Sequence, residues 1–378
     1  MKRLSIRLIG GSVGGLFAGI LLQRDGHDVK IYERSVGGLS GRGAGLVGQP
    51  DLFRLLRRIG AEHVARVGVV AQERIFLDPS GAVQSRVRSP QSQISWDYLY
   101  DTIAGKFDPA AYDLGRPVVD VIDGEHGAQI VFADGSAEIA NLVIGADGIG
   151  SVVRRALNPG NYANRFAGYV AWRGLVPEAS IPIEASILLN RFAFFTSYGS
   201  QALGYLVPGA NGESNVGARR YNWVWYREAR TEDLPRLFTD KNGDIHSFSL
   251  SRGGLSSSRR EAFWFDAANS LPPPFRAVVE ADAEPSIQGI FDYEAPRMVG
   301  QSVALLGDAA FVVRPHTAMG VSKAASDAMT LRDSLAIAPT LAAALRQFEA
   351  QRLPAGREIA RYGQRLGEAT LEKSASRA

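Results

Sequence analysis

Apolar side chains first gather in residues 4–9 (LSIRLI), at Leu4, Ile6, Leu8 and Ile9, which predicts a strand, and then fill every turn of a predicted helix over 13–24. A second strand is predicted over 29–33 (VKIYE), so the chain opens as strand, glycine-rich turn, helix, strand. Leu52, Leu55, Leu56 and Ile59 repeat at helical spacing across 50–60 and stop at Gly60, which suits a helix C-cap. Ser95 is placed to cap a helix running to about Phe107. Strands follow over 117–122, 128–133 and 137–144, the last two joined through Asp134-Gly135 and the final one running into a glycine-rich turn.

From Phe166 to about Glu294 the texture changes to alternating aromatic and β-branched residues, with turns at Pro208-Gly209 and Asn211-Gly212, which predicts an antiparallel sheet. Residues 303–307 read as another buried strand, 308–320 as a loop and 321–337 as a helix; a helical hairpin broken at Pro354 closes the chain. The fold class is therefore α/β (α+β), with a Rossmann-like unit and a second, antiparallel-sheet unit. The first is assembled from 1–70, 96–165 and 296–371 with its C-terminal helices, the second from 71–95 and 166–295, and 372–378 forms a frayed tail. A length of 378 residues suits two closely packed units.

Composition narrows the chemistry. There is no cysteine, which removes disulfides, thiolate catalysis and Cys-ligated metals, and points to a reducing, cytoplasmic setting. His27, His63, His126, His246 and His316 show no metal-ligand spacing, so no metal is expected. Basic residues (42) barely exceed acidic ones (39) and no run of five like charges occurs, which argues against nucleic acid despite a pI of 9.1. Lys2 and Arg3 ahead of an apolar stretch imitate a secretory signal, but Arg7 interrupts the stretch, and no later segment is long and apolar enough for a membrane span.

Three stretches carry the candidate chemistry. Gly10-Gly11-Ser12-Val13-Gly14-Gly15 lies between a strand and a helix, and Glu33 ends the next strand; such a turn brings free N–H groups and the positive helix end to a pyrophosphate, and the acid meets a ribose. Ser12 stands where the common G-x-G-x-x-G pattern has its middle glycine. Asp147-Gly148 through Ser151 to Arg154 follows one strand, and Gly307-Asp308, then Pro315 and Gly320, follows another. Two strand-end aspartates and one phosphate cradle suit a ligand with separate phosphate, sugar-alcohol and ring regions. Each aspartate also fits a plain helix cap. A rival reading takes Gly10-x-Ser12-x-Gly14 as a nucleophile elbow with Asp308 and His316 as partners, a serine hydrolase; an elbow follows several strands, however, and Ser12 follows the first.

In this order the three stretches resemble the FAD-dependent aromatic hydroxylases (class A flavoprotein monooxygenases), over nearly the whole chain. Asp147, Gly148, Ser151 and Arg154 match D-G-x-x-S-x-x-R in full. The last loop departs from P-x-x-G-Q-G-x-N at Ala318, Met319 and Ser322, and with Arg314-Pro315-His316, Gly320, Lys323-Ala324 and the segment FAGYVAWRGLV is similar to the 2,6-dihydroxypyridine 3-monooxygenase branch. The resemblance implies a p-hydroxybenzoate hydroxylase-like fold whose Rossmann-like unit binds FAD and whose sheet unit binds substrate. It implies FAD contacts from Gly10, Ser12, Gly15, Glu33, Arg34, Asp147, Gly148, Gly307, Asp308, Pro315 and Gly320, and from Arg42 unless that side chain is simply solvated.

The same resemblance implies NADPH or NADH as co-substrate, molecular oxygen, a C4a-hydroperoxyflavin and a small aromatic substrate, hydroxypyridine-like or phenolic. Tyr169, Trp172, Tyr198, Tyr205 and His316 are expected to line the substrate pocket, with His316 and Tyr205 as the catalytic pair, although aromatics in such strands also serve as plain core and His316 also fits a backbone-bonded loop histidine. Arg191 and Arg219 are further candidates for an anionic substrate. A flavin reductase or halogenase of the same fold stays open, without a Trp-x-Trp-x-Ile-Pro halogenase signature, and a homodimer is allowed but not demanded.

Overall fold

In a computed structural model, which describes residues 2–39, 41, 43 and 45–372, the opening strand Ser5–Ile9 becomes the middle of a five-stranded sheet. Leu142–Gly145 and Asp28–Glu33 flank it, Val303–Leu305 and Tyr112–Leu114 form the edges, and every pairing is parallel. Ile6, Leu8, Ile31, Val143 and Ile144 are buried, and Leu142–Gly145 and Val303–Leu305 are continuous apolar runs, as suits parallel strands covered on both faces. The helix Val13–Arg24 buries Leu16, Phe17 and Leu22 and packs against Gly320–Ile337, bringing the N-terminal and C-terminal parts of the sequence together.

The second sheet is ten-stranded and built around Ser286–Glu294, Arg165–Pro177, Arg220–Glu228, Ser200–Val207 and Phe192–Ser197, with antiparallel pairing between neighbours. It then continues in parallel into Val69–Leu77 and antiparallel into Val83–Ser95 and Gly45–Val47, so the predicted antiparallel sheet contains one parallel junction and takes in a strand grouped by sequence with the other unit. Its strands alternate between two faces. Trp172, Trp223 and Trp225 pack on one face with Phe263 and Phe275, which belong to helices Ser257–Ser270 and Pro273–Glu280 that the sequence reading did not anticipate. Tyr169, Ala171, Val224 and Tyr226 pack on the other, as does Tyr205 further along.

Two further elements differ from expectation. The predicted strand 137–144 divides at Asn141: Ala137–Ala140 joins a three-stranded sheet, and Leu142–Gly145 joins the parallel one. The Asn141 side chain accepts from Ser5 N–H at 2.8 Å, pinning the division to the start of the first strand. The C-terminal hairpin is instead one helix, Leu341–Glu372, running through Pro354. Pro354 is exposed, so its ring and the carbonyl it leaves unbonded sit where water can reach them, while Leu345, Phe348 and Ala360 anchor the helix to the core. No helix among the described residues is long and apolar enough to cross a membrane.

Candidate functional site

Two glycines of the first turn, Gly10 and Gly15, are there because nothing larger fits. Gly10 has φ +103°, and a Cβ on it would sit 2.4 Å from the Ala146 oxygen; a Cβ on Gly15 would sit 2.0 Å from the Gly10 oxygen. Ser12 occupies the N-cap of the helix Val13–Arg24 with extended backbone, but its hydroxyl makes no capping bond, leaving the hydroxyl and the helix start to the neighbouring cleft. Glu33 is buried and accepts from Gly11 N–H and Ser35 N–H, both at 2.9 Å, which uses two of its lone-pair directions while it lines the same cleft. Tyr112 donates to the Gly11 carbonyl at 2.8 Å and lies 3.0 Å from the Tyr100 hydroxyl; burial pushes both phenols up. The cleft measures about 290 Å³ and is bordered by Gly10, Ser12, Glu33, Arg34, Trp96 and Asp147.

The second turn is built differently from the expectation. Asp147 directs its carboxylate inward, accepting from Ser151 Oγ, from Val152 N–H at 2.7 Å and from Val153 N–H at 3.3 Å, and thus caps the helix Val152–Leu157. Burial pushes its carboxyl up against these hydrogen bonds. Gly148 takes φ +74°, and a Cβ there would point into open space. Arg154, buried, reaches out from this helix to the third turn: it donates to the carbonyls of Gly148 (3.1 Å), Asp308 (2.7 Å) and Ala309 (2.9 Å), and its guanidinium lies 4.0 Å over the Tyr293 ring. Its position in the D-G-x-x-S-x-x-R motif was visible in the sequence; the bridge it makes was not.

Gly307 opens the third turn at φ +56° and donates to Asp327 Oδ2 at 3.0 Å. Asp308, half exposed, accepts no side-chain hydrogen bond among the described residues, so of the two strand-end aspartates it is the one with a carboxylate free for a ligand. Cβ atoms on Gly14 and Gly307 would both come within van der Waals contact of Ala324, at 3.6 and 3.5 Å, so the first and third turns meet at the start of the Gly320–Ile337 helix. The three stretches therefore converge. The elbow alternative does not assemble: His316 Nε2 lies 2.8 Å from the Tyr169 hydroxyl, and Asp308 faces Lys323.

The loop from Pro315 to Gly320 is clamped to the second sheet by a buried bidentate pair, Arg314 Nε and Nη2 to the Asp292 carboxylate at 2.9 and 2.8 Å. Ala318 sits at φ 53°, the left-handed region, at the position where the common pattern has glycine. Pro315 and Ala318 are exposed, and a Cβ on Gly320 would meet nothing within 4 Å, so this side of the loop has room for a flat ring system. His316 packs its ring 4.5 Å from that of Tyr226. Burial and the adjacent Arg314 lower its imidazole to about 4, which keeps it neutral and makes it a weak proton acceptor. Burial pushes the Tyr169 phenol up as well.

Tyr205 is buried on the same sheet face, with its phenol raised to about 12 by burial and its hydroxyl 3.3 Å from the Gly45 carbonyl. It pairs with Asn222, four residues along its strand from Tyr226, which places it roughly 13 Å from the His316 end. Asn222 was not anticipated: fully buried, it accepts from Gly45 N–H at 3.4 Å, and its Nδ2 has no partner among the described residues. Trp172 is a correction. It lies on the opposite face, stacked on Phe263 at 4.3 Å, as core. Tyr198 also stands apart, 74% exposed between the hairpin strands Phe192–Ser197 and Ser200–Val207. Arg191 and Arg219 are committed to Glu73 and Glu178. Arg42 lies outside the described residues.

The geometry fits FAD: a glycine cradle at a helix start, a free Asp308 carboxylate, and an open-sided loop beyond it, in that spatial order. A family described as FAD binding domain-like matches residues 166–292. The chain is 32% identical to 2,6-dihydroxypyridine 3-monooxygenase of Paenarthrobacter nicotinovorans over 93% of this chain and 87% of that one. It is 29% identical to 3-amino-4-hydroxybenzoate 2-monooxygenase of Streptomyces cremeus over 97% and 88%. The solved structure of 2,6-dihydroxypyridine-3-hydroxylase from Arthrobacter nicotinovorans superposes with a TM-score of 0.90 at 31% identity, covering 97% of this chain and 93% of that one.

Proposed function

Since the chain belongs to the FAD-dependent aromatic hydroxylases and is a monooxygenase, we propose that it uses NADPH or NADH and molecular oxygen to hydroxylate a small, electron-rich aromatic or N-heteroaromatic ring, hydroxypyridine-like or phenolic. The observation that carries this reading is the meeting of the Ser12 and Asp308 turns beside a loop covered by an aromatic sheet face. Oxygen activation and hydroxyl transfer are the chemistry that FAD would supply when bound.

The chain's own residues position and shield. The Gly10–Gly15 turn and Ser12 receive the pyrophosphate, Glu33 the adenosine ribose with Arg34 at the cleft mouth, Asp308 the ribityl hydroxyls, and Pro315 to Gly320 the ring. Gly148 lets the second turn approach closely, and Asp147 acts through the helix it caps. Tyr169, Tyr226 and Val224 exclude water from the covering face. A neutral His316 held by Tyr169 orients a ring hydroxyl or ring nitrogen; Nδ1 accepts a hydrogen bond when Nε2–H is given to Tyr169 and donates one in the other tautomer. Tyr205 and Asn222 offer polar atoms at the far end.

The reading is tested by following NADH and NADPH oxidation across a panel of hydroxypyridines and phenols under ¹⁸O₂, with mass analysis of products. One labelled oxygen in a hydroxylated product is expected for at least one ring. Substrate-stimulated nicotinamide oxidation yielding only hydrogen peroxide throughout the panel would reject the proposed substrate class.

A further inference from the structure

The helix Gly320–Ile337 carries a buried charge that none of the roles above uses. Lys323 lies in its first turn with its side chain fully buried, and among the described residues its Nζ has no hydrogen-bond acceptor. One turn further on, Asp327 is already engaged, accepting from Gly307 N–H at 3.0 Å and from Arg352 Nε at 2.6 Å. The carboxylate within reach is that of Asp308, with Oδ1 3.7 Å from Nζ, just beyond a hydrogen bond. Asp308 is in turn fixed through its main chain, by Arg154 at 2.7 Å, while its carboxylate is half exposed.

An ammonium removed from water without an acceptor is costly, and such a group in a native fold asks for a ligand-bound state in which it is satisfied. Here the state is at hand: a small rotation of the Asp308 carboxylate brings one oxygen onto Nζ and leaves the other facing outward. We infer that Lys323 is a positioning residue for FAD, holding the buried side of the Asp308 carboxylate so that its exposed side accepts hydroxyl hydrogen bonds from the cofactor. The inference rests on the assignment of Asp308 to the cofactor and is independent of the substrate.

This arrangement gives the lysine opposite effects in the two states. In the apoprotein it is an unsatisfied buried group, so replacing it with an apolar side chain of similar length relieves the fold; in the holoprotein the same replacement removes a charge-assisted hydrogen bond. A side chain that merely fills space has neither signature.

The test strips FAD from the wild type, Lys323→Met, Lys323→Gln, Asp308→Asn and the Asp308→Asn/Lys323→Met double variant. It then measures apoprotein Tm by circular dichroism and FAD Kd by flavin fluorescence quenching. For Lys323→Met an apoprotein Tm equal to or above wild type is expected, with FAD Kd raised about tenfold to a hundredfold. Lys323→Gln, which also serves if the Met variant fails to fold, should raise Kd less. In the Asp308→Asn background the Met substitution should change Kd by less than about twofold, because the carboxylate it acts through is gone. FAD affinity within twofold of wild type in both Lys323 variants overturns the inference, as does a double variant whose losses multiply. A wild type that binds FAD normally while Asp308→Asn has no effect fails the Asp308 assignment instead.

Discussion

Replacing Arg154 by methionine removes the one side chain that, among the described residues, hydrogen-bonds both the second turn and the third. Its guanidinium satisfies the carbonyls of Gly148, Asp308 and Ala309 and also the Asn164 side chain at 2.8 Å. The atoms it bonds are neutral, although the Asp147 and Asp308 carboxylates lie close enough to feel its charge; the main loss is that of buried acceptors left without donors, about 1–3 kcal/mol each, reduced where water can enter beside the half-buried Gly148 and exposed Asp308. A total of roughly 3–5 kcal/mol follows, a large share of the stability of an ordinary fold, equivalent to a Tm decrease of roughly 4–6 °C for a chain of this length. FAD affinity should fall further than stability alone requires, because the cofactor must now order two turns that were held in place, and a hundredfold rise in Kd is expected. Arg154→Lys keeps the charge but offers three donors without the planar fork, so it should recover less than half of either loss. Differential scanning calorimetry and FAD titration of the apoprotein measure both quantities. An Arg154→Met protein within 2 °C and twofold of the wild type would refute the bridging role.

Further expectations concern single positions. Gly15→Ala places a Cβ 2.0 Å from the Gly10 oxygen, so the turn must open; a stability loss of roughly 1–3 kcal/mol and at least tenfold weaker FAD binding are expected on titration, and retained affinity would count against the cradle. His316 titrates near 4 in the fold against 6.5 in the unfolded chain. Between those values the unfolded state binds a proton that the fold refuses, so its contribution is intact above about pH 6.5 and is lost by roughly 3 kcal/mol as pH falls to 4. Urea unfolding of His316→Asn across pH 4–7 should show a correspondingly flatter dependence, and an unchanged slope would place the acid sensitivity elsewhere. Ala318 holds φ 53°, so Ala318→Gly should leave the unfolding free energy in urea equal or slightly raised, whereas Ala318→Val should lower it by roughly 1–2 kcal/mol; a neutral valine variant would mean the loop relaxes freely.

The parts of the site that were legible from sequence are those where backbone geometry dictates residue type. Only glycine fits at positions 10 and 15, and only a strand followed by a helix makes such a turn useful, so the cradle could be read from its letters and setting. Asp147 and Asp308 looked alike, each an acid at a strand end ahead of a turn, and nothing local distinguishes a carboxylate that folds back onto its own helix from one left free. The misplacement of Trp172 was avoidable in principle: it is three residues from Tyr169, and side chains an odd number apart on a regular strand occupy opposite faces. Lys323, Arg314 and Arg154 acquired their roles only through packing of distant segments, which no local spacing encodes. Pro354 misled because the carbonyl it frees lies on the exposed side of the helix, where water can satisfy it, while buried residues on the other side hold the helix in place.

The claim on which the account turns is that the Ser12, Asp147 and Asp308 stretches enclose a single flavin. A crystal structure of the protein reconstituted with FAD tests it most directly. The account predicts the pyrophosphate against the Gly10–Gly15 turn, a ribityl hydroxyl within hydrogen-bond reach of Asp308, and the ring beside Pro315 to Gly320. A flavin seated elsewhere, or one whose pyrophosphate and ring lie away from these turns, would contradict it.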